Sequence, residues 1–200
     1  MPDFGSLVDK MISGQMDHEV RSVEVKSSVA WDEYKADIAR AAMGMANTRD
    51  GGVILIGVVK DGQRLKLDGI TADHLESYDA DNVQAFVNKY ADPYVRLTVD
   101  FENSTEGKDY IVIVVHPFDE MPVVCKKNYG NVLSESAIYT RSHRIPETCK
   151  VKSQTEMREI LDMAVEKSVR RLVERLGRAG VRMEAAESDA KLFEQQLGGM

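Results

Sequence analysis

The sequence predicts an α+β domain, in which a mixed sheet is flanked by helices, followed by a long C-terminal amphipathic, coiled-coil helix. Two patterns predict this class. Short apolar or alternating segments, typical of strands, are interspersed with helical segments between residues 21 and 141. After residue 153 apolar side chains recur every three or four positions, as on a helix. We therefore expect one domain over residues 1–160, with its core at about 17–150, and a helical oligomerisation tail over residues 161–200.

The first elements are a short helix, a strand and a longer helix. Residues 4–13 favour a short helix, and residues 21–27 alternate in polarity and are rich in β-branched side chains, which favours a strand. Asp32 is expected to cap the next helix, which runs to about Asn47.

The middle of the domain is predicted to contain a buried strand, a hairpin and a helix. Residues 53–59 are apolar without alternation, which indicates a strand covered on both faces. The turn sequence of residues 60–62 contains an Asp-Gly pair, which favours a hairpin into residues 64–67. Residues 71–91 are mainly helical in pattern.

The end of the domain is predicted to contain three strands and the start of the tail helix. Residues 94–101 and 110–116 form a strand pair around a polar turn, and residues 137–141 form a further strand. Ser153 and Glu156 have the spacing of a capping box, so the last helix is expected to begin there.

The tail carries a heptad pattern. Its apolar or small residues alternate in spacings of four and three without a slip, which predicts a coiled coil and self-association. The alternative is an amphipathic helix that folds back on its own domain. The predicted seam contains Val165, Val169, Leu172, Leu176, Ala179, Met183, Ala186, Ala190, Phe193 and Leu197.

Composition excludes several classes of protein. With 43% hydrophobic and 30% charged residues, the chain is typical of a globular protein and not of a disordered or collagen-like one. No apolar run is long enough for a membrane span and no signal peptide is recognisable, so we expect a cytoplasmic protein that binds no membrane. Cys125 and Cys149 are expected to be reduced, and together with His143 they fit a zinc site poorly because no close ligand pair exists.

Charge is distributed unevenly along the chain. The net charge is −7, which on average disfavours nucleic acid. However, residues 63–120 carry 12 acidic and five basic residues, whereas residues 121–160 carry four acidic and seven basic ones. The sequence therefore predicts one basic surface on an acidic protein.

Four pieces of sequence together resemble the AlbA-like domain of the Schlafen superfamily, formerly called divergent AAA. They are Glu19-x4-Glu24-Val-Lys26, a helix that ends in Met-Ala-Asn-Thr at residues 45–48, Gly-Gly-Val-Ile-Leu-Ile-Gly-Val at residues 51–58, and Lys-Asp-Gly at residues 60–62. Residues 137–144 are similar to the closing strand of that family. The resemblance covers about residues 17–165, and Val25 departs from it because the family usually has phenylalanine there.

The resemblance implies either a nuclease or a binding domain. In ribonucleases of the superfamily three carboxylates form a metal-assisted site, and Glu19, Glu24 and Asp61 have matching positions. These oxygen ligands would suit Mg²⁺ or Mn²⁺, with Lys26 placed to contact the scissile phosphate. An ATP site is not supported, since Gly52-x4-Gly57 is not followed by Lys-Ser or Lys-Thr.

Many relatives are thought to bind nucleic acid without cutting it, and we expect the same here, with the protein in a regulatory or accessory role. A metal-dependent endoribonuclease is the first alternative, and an assembly protein with a non-catalytic scaffold is the second. The predicted nucleic-acid contacts combine basic side chains with the loop around the two glycines, and they are Lys126, Lys127, Arg141, His143, Arg144, Asn47, Arg49, Gly51 and Gly52.

Overall fold

The computed structural model describes residues 8–11, 13, 20–62, 64–104, 106–143 and 146–179. The chain divides into two compact units, Met1–Ala164 and Val165–Met200. The α+β class is confirmed, with a mixed sheet and a long C-terminal helix.

The helices are α1 (Trp31–Ala46), α2 (Ala72–Glu76), α3 (Ala80–Tyr90) and α4 (Gln154–Arg178), and residues 8–11 are also helical. The strands are β1 (Val23–Lys26), β2 (Gly52–Ile56), β3 (Val58–Asp61), β4 (Arg64–Leu67), β5 (Ala91–Asp92), β6 (Leu97–Asn103), β7 (Asp109–Val115), β8 (Val124–Cys125), β9 (Tyr139–Arg141) and β10 (Thr148–Lys150).

A four-stranded sheet in the order β1-β2-β7-β6 forms the centre of the domain. β1 runs parallel to β2, with Val23 opposite Val53, whereas β7 is antiparallel to both β2 and β6. Three two-stranded sheets, β3-β4, β5-β8 and β9-β10, surround it.

Apolar side chains cover the sheet on both faces. Along β2, Ile54 and Ile56 belong to the large core that contains α1 and α3, whereas Val53 and Leu55 pack in a smaller core with residues 8 and 11. All five residues of β2 are buried, so the absence of polar alternation was a correct indication of a strand covered on both faces.

Three predicted elements differ in detail. The apolar run of residues 53–59 is interrupted at Gly57, whose φ of 108° ends β2 and starts the separate hairpin β3-β4. The predicted helix over residues 71–91 is two helices, α2 and α3. Asp32 lies in the first turn of α1 and does not cap it; the Trp31 amide instead donates to Ser77 Oγ at 2.9 Å.

The capping box at the start of α4 is confirmed. The Glu156 amide donates to Ser153 Oγ at 3.1 Å, and the Ser153 amide donates to Glu156 Oε2 at 3.3 Å. Within the domain unit, α4 buries Ile160 and Met163 in the large core.

The described part of the tail unit, residues 165–179, exposes apolar side chains. Val165 is 61% exposed, Val169 53% and Leu172 56%. None of the described helices has the length and apolar character required to cross a membrane.

Candidate functional site

Arg141, at the end of β9, is the most deeply buried charged residue of the predicted site. Its side chain is 0% exposed and forms an ion pair with Glu24 of β1. Its Nη2 donates to the Val23 carbonyl at 2.6 Å and its Nε donates to the Arg21 carbonyl at 3.0 Å. A contact from Nη1 to Thr148 Oγ1 at 3.3 Å completes the set. The guanidinium therefore joins β9 and β10 to the central sheet.

Arg141 is predicted from the sequence to contact a phosphate, but the structure places its whole side chain below the surface. The sequence showed an arginine after a β-strand pattern, but its partner Glu24 lies 117 residues earlier. Burial of a guanidinium is tolerated when its nitrogens are paired, and each of the three nitrogens of Arg141 donates to at least one acceptor: one carboxylate, one hydroxyl and two backbone carbonyls in all.

Glu24 carries a negative charge between two cations. Burial alone would raise the pKa of its carboxyl, but the charges and hydrogen bonds of Lys26 and Arg141 lower this pKa below its ordinary value. Lys26 Nζ contacts Oε1, and Arg141 Nη1 contacts Oε2. Both oxygens are therefore occupied by protein cations.

Glu24 is expected to make folding acid-sensitive. Because its folded pKa lies below the ordinary value of 4.5, its stabilising contribution is complete above that pH and is lost as the pH falls through the folded pKa. Glu24→Gln should be less stable than the wild type at neutral pH but should lose less stability on acidification. Urea denaturation over a pH series measures this slope. Glu33→Gln, at an exposed site, controls for the loss of one acidic group, and equal slopes in all three proteins would contradict the assignment.

A polar cleft of about 230 Å³ is lined by Glu24 and Lys26 and by further acidic and basic side chains. Asp61 does not line it: it is exposed at the end of β3, opposite Arg64. Since a metal ion at Glu24 would have to displace two cations, the described residues do not fit a metal centre. Glu19 lies outside the described residues, so the complete trio and a catalytic role for Lys26 stay predictions.

Histidine, cysteine and carboxylate side chains form no cluster of three or more suited to a metal among the described residues. His143 Nε2 contacts Glu159 Oε2 at 2.7 Å. Cys125 is buried, and burial raises the pKa of both Cys125 and Cys149.

Asn47, directly after α1, is a buried clamp. It is 0% exposed, and its Nδ2 donates to the carbonyls of Val123 at 2.8 Å and Tyr139 at 2.9 Å. The Val123 amide donates back to Oδ1 at 2.7 Å. Asn47 is predicted from the sequence to line a nucleic-acid groove, but in the structure its side chain faces inward and ties α1 to β9 and to the segment before β8.

The two glycines that follow have separate roles. Gly51 has a φ of 78°, and a Cβ there would overlap the Val115 carbonyl oxygen. Gly52 is buried, and a Cβ there would overlap the Met45 side chain and the Ser22 carbonyl oxygen. Packing thus accounts for both glycines, and Gly51 in addition reaches a surface cleft.

This second cleft has a volume of about 280 Å³ and contains two of the predicted contacts, Arg49 and Gly51. Arg49 is exposed, and Arg21 also lines the cleft, with its guanidinium 3.2 Å from the Glu159 carboxylate. The full lining is Val20, Arg21, Ser22, Thr48, Arg49, Asp50 and Gly51.

Four lysines from α1, α3 and the segment after β8 lie close to a cluster of aromatic rings or to the helix that carries two of these rings. We call Lys35, Lys89, Lys126 and Lys127 the lysine face. The Nζ of Lys127 lies 5.3 Å from the ring centroid of Tyr90, and that of Lys89 lies 5.8 Å from the same centroid. Lys126 Nζ donates to the Asn88 carbonyl at 2.9 Å. Three separate chain segments thus supply one basic surface.

The aromatic rings beneath the lysine face support it. Phe86, Tyr90 and Tyr129 have centroids 5.0 to 5.6 Å apart, mostly in edge-to-face geometry. Lys35 Nζ lies 5.6 Å from the Phe86 centroid and also contacts Asp32 at 2.7 Å. These rings attract the ammonium groups through their faces and so fix the lysine stems.

Sequence reasoning identified only half of the lysine face. It selected Lys126 and Lys127, which the structure places on an exposed surface beside Tyr129. It missed Lys35 and Lys89, although each is adjacent in sequence to a tyrosine, which was the available signal. His143 is exposed but is placed against Glu159, and Arg144 lies outside the described residues.

Comparisons with known proteins support the fold. A family model described as Schlafen, AlbA_2 matches residues 19–150. The crystal structure of the DIP2311 protein from Corynebacterium diphtheriae is similar over 77% of this chain, with 16% sequence identity and a TM-score of 0.51. The chain spans only 27% of that protein.

A second similar structure is the N-terminal domain of a RecG-related protein from Nitrosomonas europaea, solved by NMR. It is 20% identical, with a TM-score of 0.44, and the match covers 77% of this chain and 97% of that domain. No curated protein matches the sequence.

Proposed function

Because the chain belongs to the Schlafen AlbA_2 family, we propose that its domain binds nucleic acid, and that it does so through the lysine face. The observation that carries the proposal is that Lys35, Lys89 and Lys127 contact the rings of one aromatic cluster, while Lys126 binds the Asn88 carbonyl on the helix that carries two of these rings. A nucleic acid is the polyanion that such a surface suits, because each lysine that neutralises a phosphate releases counterions.

The chemistry of the lysine face favours contacts with the phosphate backbone over reading of bases. Lysine ammonium groups act as point charges and carry no sequence information when they contact phosphates. Tyr90 is only 5% exposed, so its ring holds lysines in place and is not a platform for bases. We therefore propose binding with little sequence preference.

The net charge of −7 is compatible with this proposal. Exposed charges more than about 8–10 Å apart are largely screened at physiological salt. Acidic residues farther than this from the lysine face would then oppose binding only weakly.

Lys126→Gln/Lys127→Gln is expected to weaken binding to short labelled single-stranded RNA or DNA roughly tenfold at low salt, because two phosphate contacts are lost. The slope of log K against log salt should become shallower by about 1.4 in the same variant, or about 0.7 per contact. Fluorescence anisotropy titrations at several salt concentrations measure both quantities, and circular dichroism verifies that the variant is folded.

A matched control removes the same charge elsewhere. Lys10→Gln/Lys66→Gln changes two exposed lysines on segments that pack against the smaller core, on the other side of the sheet from α1 and α3. We expect this variant to bind almost as the wild type does. Equal weakening by the two double variants, or binding of the wild type that does not depend on salt, would rule out the lysine face as the binding surface.

We also propose that the protein self-associates through its tail. Val165, Val169 and Leu172 are more than half exposed, and Leu176 is partly exposed on the same heptad phase. Covering such a row with a second helix removes apolar surface from water. The remaining predicted contacts, Met183, Phe193 and Leu197, lie outside the described residues.

A further inference from the structure

The described part of the tail exposes apolar side chains, and the sequence of the tail itself contains residues that could cover them. We propose that two copies of the chain pair through their tails in an antiparallel orientation, with the symmetry axis close to residue 181. This inference rests on the self-association proposed above and adds its orientation and register. Residues 180–200 lie outside the described part, and only their sequence is used.

The first reason is the size of the seam residues. In an antiparallel pair centred at residue 181, a residue of one copy faces the residue of the other copy that lies equally far on the opposite side of 181. The numbers of two facing residues therefore add up to 362. Each alanine of the seam then lies opposite a large side chain, because the facing pairs are Leu172–Ala190, Leu176–Ala186 and Met183–Ala179. A large residue against a small one in every layer keeps the distance between the helix axes constant.

The ends of the seam follow the same rule. Val169 faces Phe193, and Val165 faces Leu197, so each outer layer also combines a smaller with a larger side chain. A parallel, in-register pair would instead stack Leu172 on its own copy and Ala190 on its own copy. Wide and narrow layers would then occur along one pair of helices, which would have to bend or lose contacts.

The second reason is charge. Residues 165–182 contain six basic and two acidic residues, whereas residues 183–200 contain one basic and four acidic residues. An antiparallel pair places the basic half of one helix beside the acidic half of the other, and a parallel pair places like halves together. Like charges on neighbouring helices are destabilising, so the charges favour the antiparallel orientation.

The seam pattern also argues for a second copy over a hairpin within one chain. A hairpin requires a turn in the middle of the tail. The apolar positions after such a turn would not have to continue the heptad spacing of those before it. The spacings of four and three instead continue unchanged from Val165 to Leu197. Helix α4 moreover runs through Gly177 and reaches Arg178.

Disulfide trapping in the full-length chain tests the orientation. Two versions of the chain are made in a Cys149→Ala background. One carries Leu172→Cys, and the other carries Ala190→Cys and a tag of a different size. In the antiparallel pair, position 172 faces position 190 of the other copy, whereas the two copies of position 172 are about 27 Å apart along the helix. A disulfide requires Cα atoms within about 7 Å.

Mixing the two versions with oxidised glutathione should therefore give the mixed disulfide, with at least about tenfold less of either self-linked species. The background protein without added cysteines should give none. Efficient self-linking of Ala190→Cys with no mixed product would overturn the antiparallel orientation and leave self-association intact.

Light scattering on the unmodified chain separates this inference from the proposal beneath it. A dimer mass that falls to a monomer mass when Leu172→Glu is introduced supports pairing through this face. A monomer mass for the unmodified chain would overturn both the self-association and its orientation. The nucleic-acid titrations described above measure the domain independently of either outcome.

Discussion

Replacing Arg141 with methionine should lower the free energy of unfolding by about 3–5 kcal/mol, the range expected when one partner of a buried ion pair is removed. The loss arises because Glu24 keeps its charge in a site from which the main cation has gone, and because the Arg21 and Val23 carbonyls lose their donor. Urea denaturation followed by circular dichroism measures the change. The effect should be on stability and not on the affinity of the remaining folded protein for nucleic acid.

Lys26→Met is the matched control, since it removes the other cation of the same carboxylate. Lys26 is partly exposed, so water can replace much of its interaction, and a loss of about 1 kcal/mol or less is expected. The double variant Glu24→Gln/Arg141→Met should recover part of the stability of Arg141→Met, because no buried charge is left alone. A stable Arg141→Met protein with weakened nucleic-acid binding would instead restore the phosphate-contact role.

The ion pair joins two pieces of the family pattern that are far apart in the sequence. The Glu24-Val-Lys26 piece forms β1, and the closing piece ends in Arg141 on β9. In the structure they meet as one buried network. Both positions were singled out from the sequence, Glu24 as a metal ligand and Arg141 as a nucleic-acid contact. Burial decides whether a charged residue holds the fold together or meets a ligand, and spacing does not reveal burial.

Local patterns predicted the elements that depend on local chemistry. The apolar run at residues 53–56 and the capping box at Ser153 both have a periodicity or a spacing that refers only to near neighbours, and both were found. The sequence predicted that the strand continues through Gly57. In the structure Gly69 and Tyr110 lie so close that a Cβ at position 57 would overlap them, and neither residue is near Gly57 in the sequence.

The candidate site depended on tertiary contacts and was only partly predictable. Lys35 and Lys127 lie 92 positions apart in the sequence but contact neighbouring rings, Phe86 and Tyr90. Conversely, Asn47 was expected to line a surface groove, because it precedes two glycines between a helix and a buried strand, where a ligand backbone could approach closely. Its three hydrogen bonds to segments 76 and 92 residues away show the opposite.

Asn47→Asp is expected to cost about 3 kcal/mol of folding free energy or more, although the two side chains have nearly the same shape. The aspartate oxygen that replaces Nδ2 would face the carbonyl oxygens of Val123 and Tyr139 and could not donate to either. A neutral carboxyl can donate one hydrogen bond, so the difference from the wild type should shrink as the pH is lowered. Urea denaturation at neutral and acidic pH measures both effects.

Asn88→Asp is the matched control for this change, because Asn88 makes the same pattern of bonds at a half-buried site. Its Nδ2 donates to the carbonyls of Gln84 and Val95, both at 3.0 Å, and its Oδ1 accepts from the Val95 amide at 2.7 Å. Water can reach that site and solvate an aspartate, so we expect a loss of about 1 kcal/mol there. Equal losses at the two positions would mean that the burial of Asn47 does not set the cost, and the role of Asn47 as a buried clamp would then have to be abandoned.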